Sequence, residues 1–165
     1  MNIQNSDNLL INKTLVELLN KKDVFYNRAK GNGQIVIINK SLIIDPENKR
    51  LTNKRPIKKV CRFTENQKAS FKLNNKKSIN LKSVVKESNL YRFIKKDESN
   101  SIGSNILSGE VKSYISISKP GYSVDKTAIV IVSYTWSIHG ALAKFIYSKT
   151  QDSWELKCSE YIIHP

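Results

Sequence analysis

The sequence predicts an α+β protein: an N-terminal helix packed on a curved antiparallel sheet that ends in a four-strand meander. Three observations predict it. Apolar residues over 9–22 recur at a spacing near 3.6, the period of an amphipathic helix. Residues 113–163 hold alternating apolar and polar runs around one nearly continuous apolar run, with turn signals between them. A sheet with one apolar face needs a cover, and the N-terminal part must supply it. At 165 residues the chain is read as one domain, 1–165, able to bury about 68–70% of its unfolded surface.

The elements follow in order. Residues 1–8 are polar and read as a frayed terminus. The helix carries Leu9, Leu10, Thr14, Leu15, Leu18 and Leu19 on one face, with Asp7 as N-cap and Lys21 and Lys22 at the negative end of its dipole. Gly31-Asn-Gly33 reads as a turn. It is no phosphate-cradling loop, because a strand follows where that loop needs a helix. Gln34 to Ile44 reads as a strand or strand pair ended by Asp45-Pro-Glu47. Val60–Thr64 and Ala69–Leu73 read as weak strands, and Leu81–Lys96 as a helix with Leu81, Val84, Val85, Tyr91 and Ile94 inward. Residues 97–108 read as a loop.

The meander is the clearest part. Tyr114–Ser118 alternates, and Lys119-Pro-Gly-Tyr122 breaks it. Ala128–Trp136 is almost continuously apolar and β-branched, which predicts a central strand buried on both faces. Ser137-Ile-His-Gly140 is the next connection, Ala141–Ser148 the next strand, and Thr150–Ser153 a polar turn. In the last strand the alternation slips between Cys158 and Ile162, which predicts a bulge or a strand end there. The expected core includes Val130, Val132, Phe145, Trp154 and Leu156.

The run Ser118-Lys-Pro-Gly-Tyr122, Asp125-Lys126, Ala128-Ile-Val-Ile-Val132, Gly140, and Lys149 through Trp154-Glu-Leu156 resembles a group of small bacterial proteins of uncharacterised function. The resemblance covers the C-terminal third and departs from the group at Asp152-Ser153, where a glycine turn is usual. It implies the β-meander and no activity. A helix on a bent sheet is also similar, by analogy alone, to the cystatin-like and nuclear-transport-factor-like cones.

Charge is the other signal. The net charge is +14. Residues 49–96 hold 16 Lys or Arg against Glu65 and Glu87, while residues 1–48 carry +1 and residues 97–165 carry −1. Genome-wide Lys and Asn bias can raise the total but does not explain balanced flanks. Lys49, Arg50, Lys54, Arg55, Lys58, Lys59 and Arg62, helped by Lys82 and Lys86, are the candidate binding residues. They suit a non-enzymatic protein docking an acidic protein partner, an inhibitor or immunity-type protein being the most concrete version. The alternatives are a nucleic-acid binder and a cone-fold hydrolase or isomerase using His139 with Asp125. Phe63, Phe71, Tyr91 and Phe93 lie in the basic segment, but their alternation reads as core rather than as a stacking platform.

No catalytic residue, metal site or cofactor motif is read from the sequence. His139 and His164 read as exposed, and Trp136 and Trp154 as sheet-face packing. Cys61 and Cys158 read as two buried free thiols. The alternative is a disulfide joining distant parts, which needs an oxidising compartment. No run approaches the ~20 apolar residues of a membrane span. Met1–Asn8 has no leader pattern. The expectation is a cytoplasmic protein, or a periplasmic or secreted one whose leader has been removed.

Overall fold

The computed structural model describes residues 3–19, 34–47, 61–86, 88–97, 102–136 and 139–164. Its elements are α1 (Ile3–Leu18), β1 (Gln34–Ile38), α2 (Glu65–Asn74), a 3-10 turn (Leu81–Ser83), β2 (Tyr91–Ile94), α3 (Ile102–Leu107), β3 (Val111–Ile117), β4 (Gly121–Tyr122), β5 (Thr127–Trp136), β6 (His139–Lys149) and β7 (Trp154–His164). The class is α+β. The strands form one sheet in the order β2-β1-β3-β5-β6-β7, with the two-residue β4 continuing along the edge of β5.

The sheet is mixed, which corrects the antiparallel expectation. β1 lies parallel to both β2 and β3. Parallel neighbours need crossover connections, and α2 and α3 sit in them. From β3 onward the chain returns to antiparallel pairing, through β5 and β6 to β7. The four-strand meander is therefore present, joined to a parallel three-strand half.

Two faces are covered. On one, Leu10, Ile11, Leu15 and Leu18 of α1 pack against Ile35, Ile37, Ile115, Ile117, Val130, Val132, Phe145 and Tyr147. On the other, Phe71 of α2 meets Ile129, Ile131 and Leu142. Farther along that face, Ile106 of α3 packs on Val36, Val111 and Tyr114. β5 is thus apolar on both sides, as its near-continuous apolar run requires. Of the expected core, Val130, Val132, Phe145 and Trp154 are buried, and Leu156 is half-buried against the cluster.

Helix α1 starts at Ile3, so the stretch read as frayed is largely helical, and Asp7 lies inside the helix rather than capping it. Tertiary contact orders it: the Tyr122 hydroxyl donates to Asp7 Oδ1 at 2.6 Å. Burial pushes the Asp7 carboxyl above its usual range. The inward set also shifts, since Ile11 is buried while Leu9 is 44% exposed. Thr14 donates its hydroxyl to Leu10 O at 2.8 Å, so Tyr147 donates its own to Thr14 Oγ1 at 2.9 Å. Lys21, Lys22 and Gly31–Gly33 lie outside the described residues.

Further expectations are corrected. Ala69–Leu73 is helical, because Thr64-Glu-Asn-Gln67 forms a capping box: Gln67 N–H donates to Thr64 Oγ1 (3.2 Å) and Thr64 N–H to Gln67 Oε1 (2.9 Å). Of the neighbouring weak strand, Cys61–Thr64 has no regular structure and Val60 lies outside the described residues. Leu81–Lys96 is no helix: a 3-10 turn capped by Asn80 is followed by β2, where Tyr91 and Phe93 alternate with Arg92 and Ile94. Part of the 97–108 loop is the short helix α3. The register slip in β7 lies at Lys157, where Ile146 pairs with Cys158 and Tyr147 with Leu156, earlier than expected.

Gly121 sets the approach of α2. A Cβ there would meet the Phe71 Cα at 2.5 Å, so the absence of a side chain lets the helix backbone lie directly on β4. Asn75 then locks the helix end, donating to Lys119 O (3.1 Å) and accepting from Lys119 N–H (3.0 Å).

Candidate functional site

The two cysteines are joined, which corrects the free-thiol expectation: Cys61 and Cys158, 97 residues apart, form a disulfide. The bridge lays the segment leading into α2 across β6 and β7. Beneath it sits a buried ion pair, Lys144 Nζ to Glu160 at 2.6 Å. The Cys61 backbone completes both partners. Its N–H donates to Glu160 Oε2 (3.3 Å), and its carbonyl accepts from Lys144 Nζ (3.2 Å). Lys144 also lies 5.2 Å from the centroid of the Phe63 ring, in cation–π range. A charge pair taken out of water persists only when its remaining hydrogen-bonding capacity is met, and the disulfide-held strand meets it.

Of the candidate binding residues, Lys49, Arg50, Lys54, Arg55, Lys58 and Lys59 lie outside the described residues. Arg62, Lys82 and Lys86 are exposed. The fold does not bring these three together. Arg62 follows the disulfide at the β7 side, whereas Lys82 is hydrogen-bonded to the residue after β1. Four strand intervals separate β1 from β7 in the sheet order, roughly 19 Å at the usual spacing. Lys86 sits near α1, its N–H donating to Asn12 Oδ1 at 2.8 Å.

The structure adds cations that the densest sequence cluster did not include. Lys76, Lys77 and Arg92 are exposed and, like Arg62, Lys82 and Lys86, make no ion pair with any described acid. Lys68 and Lys72 are paired instead, with Glu65 and with Asp45 and Glu47. The aromatic residues of the segment are not surface platforms. Phe71 is buried, and Phe63, Tyr91 and Phe93 are half-buried against the core clusters.

At the carboxyl ends of the parallel strands β1 and β2 lies a groove of about 690 Å³, lined by Asn39, Lys40, Ser78, Ile79, Asn80, Lys95, Lys96 and Asp97. Open α/β sheets bind ligands at this end of their strands. The groove is built by pairing the residues after β1 with those before the 3-10 turn. Lys40 bridges Asn80, and Leu81 N–H donates to Asn39 O at 3.1 Å. Asn39 N–H donates back to Ile94 O at 2.8 Å, which fixes the end of β2. Sequence reading missed this site because residues from three separate stretches form it.

His139 opens β6, exposed, opposite Trp136. Asp125 precedes the other end of β5, ten residues long, so roughly 30 Å of strand separates the two and no dyad can form. Among the described residues, no three His, Cys, Asp or Glu side chains cluster as metal ligands. No helix among them is long and apolar enough to cross a membrane. Compared with known proteins, the chain matches no family model, no curated protein and no solved structure.

Proposed function

We propose that the chain is a non-enzymatic binding protein whose cationic surface docks an acidic protein partner, in the manner of an inhibitor or immunity-type protein. The observation that carries this reading is the set of exposed cations that make no ion pair with a described acid, Arg62, Lys76, Lys77, Lys82, Lys86 and Arg92, on a chain whose net charge of +14 comes from residues 49–96. Such a surface accelerates encounter with an acidic partner and makes it salt-sensitive. Lys49, Arg50, Lys54, Arg55, Lys58 and Lys59 extend it in the sequence. The disulfide supports an oxidising compartment as the place of work, periplasmic or secreted.

The half-buried state of Phe63, Tyr91 and Phe93 weighs against single-strand binding, which stacks bases on exposed rings. Anisotropy with a random DNA duplex and a random single strand at near-physiological salt tests the choice. The expectation is no binding by either. Tight binding whose logarithm falls linearly with log salt would replace this reading with a nucleic-acid one.

A further inference from the structure

The groove at the ends of β1 and β2 has an asymmetric set of polar groups. The backbone N–H of Lys82 donates to Oδ1 of both Asn39 (2.7 Å) and Asn80 (3.0 Å). That shared donor fixes the orientation of both amides, since only an amide oxygen can accept. What each side chain retains is its NH₂ group, and neither NH₂ donates to a described residue. Lys40, exposed, adds an ammonium at the same rim, and Lys95 and Lys96 line the groove with it. Ser78 contributes a hydroxyl. Asp97 is the one acidic side chain in the lining.

We infer that this groove is a binding site for a small phosphate-bearing anion of the diphosphate or phosphate-ester class. The two oriented amide NH₂ groups, the Ser78 hydroxyl and the Lys40 ammonium match a ligand rich in acceptor oxygens. The two amides are held in place before any ligand arrives, so little rotamer freedom is lost on binding. The volume of about 690 Å³ lies in the range of small-molecule sites and exceeds what one carboxylate side chain of a docking protein would fill. The location, beyond the carboxyl ends of parallel strands, is where open sheets place such ligands. Asp97 suits a hydroxyl on the organic part of a phosphate ester.

The inference stands apart from the docking surface, because it is read with a small anion and its two amides and Lys40 are not among the cations assigned to that surface. Isothermal titration of the oxidised full chain with inorganic pyrophosphate tests it. The informative variant is Asn39→Asp with Asn80→Asp. Each Asp still accepts from the Lys82 N–H, so the turn is kept, while each donor becomes a repelling carboxylate. One-to-one binding by the original chain is expected, weakened by more than about tenfold in the double variant. Lys40→Gln, on the exposed rim, is expected to weaken binding without touching the turn. Failure of the original chain to bind pyrophosphate, or equal binding by the original chain and Lys40→Gln, overturns the site. Both results leave the docking surface untouched, since that is read from a protein partner.

Discussion

Lys144 is a buried cation at the β6–β7 side of the sheet. Its ammonium is almost fully buried and is matched by Glu160 and the Cys61 carbonyl. Lys144→Ala leaves Glu160 buried without its cation and is expected to cost about 3–5 kcal/mol in chemical denaturation. Lys144→Met combined with Glu160→Leu removes both charges and is expected to cost much less, which a double-mutant cycle will measure. At Asp7 the sign is opposite. Burial raises this carboxyl, so the folded chain holds the proton more tightly than the unfolded one. Its contribution to stability is therefore full below the unfolded value of 3.8 and is lost as pH rises through the folded pKa. Asp7→Asn can still accept from Tyr122, so it is expected to be more stable than the original chain at neutral pH. The melting temperatures of the two should converge in acid. Tyr122 and Tyr147, both raised by burial, add a loss of stability above the ordinary tyrosine range.

At the scale of elements, the contact of α2 with β4 rests on Gly121. Gly121→Ala pushes a methyl group into the Phe71 backbone, which cannot swing aside as a side-chain tip could. Thermal unfolding is expected to show a loss of about 1–3 kcal/mol, as for other overpacked sites. How far the elements could be read from sequence follows from where their signals lie. β5 was legible because a strand buried on both faces must be apolar throughout, and Ala128–Trp136 is nearly so. The same signal in Ile35-Val-Ile-Ile38 marked β1 as a strand, and its parallel partners were hidden because register between distant strands has no local signature. α2 carried its signature in Thr64 and Gln67, yet Phe71 and Leu73 look like alternation; in the structure Phe71 is buried and Leu73 is exposed. The expected helix over 81–96 had a gap in its apolar spacing at Ser88-Asn89, where the chain turns. The groove was illegible, since its donors are defined by Asn39 and Asn80 meeting across 41 residues of chain.

For the whole molecule, the disulfide and the charge distribution matter together. The Cys61–Cys158 bridge closes a loop of 97 residues that includes α2, β2, α3 and most of the sheet. Cross-links of this span stabilise by about 2–5 kcal/mol, chiefly through the unfolded chain. Reduction, or Cys61→Ser with Cys158→Ser, is expected to lower the denaturant midpoint accordingly. An unchanged midpoint would mean that the bridge contributes nothing in solution. The bridge also ties Arg62, at the end of the densest basic cluster, to the β-meander, while Lys82 lies at the β1 side of the sheet and Lys86 beside α1. A partner touching all three must therefore span much of the molecule, as a protein surface can. The most direct measurement is capture from a nuclease-treated extract by the original chain and by a variant with Lys54, Arg55, Lys58, Lys59, Arg62, Lys82 and Lys86 changed to Ser. The expected result is one acidic protein, bound by the original chain, released by moderate salt and lost with the variant. Recovery of the same protein at equal strength by the variant, or of no acidic protein by either, would contradict a cationic docking surface.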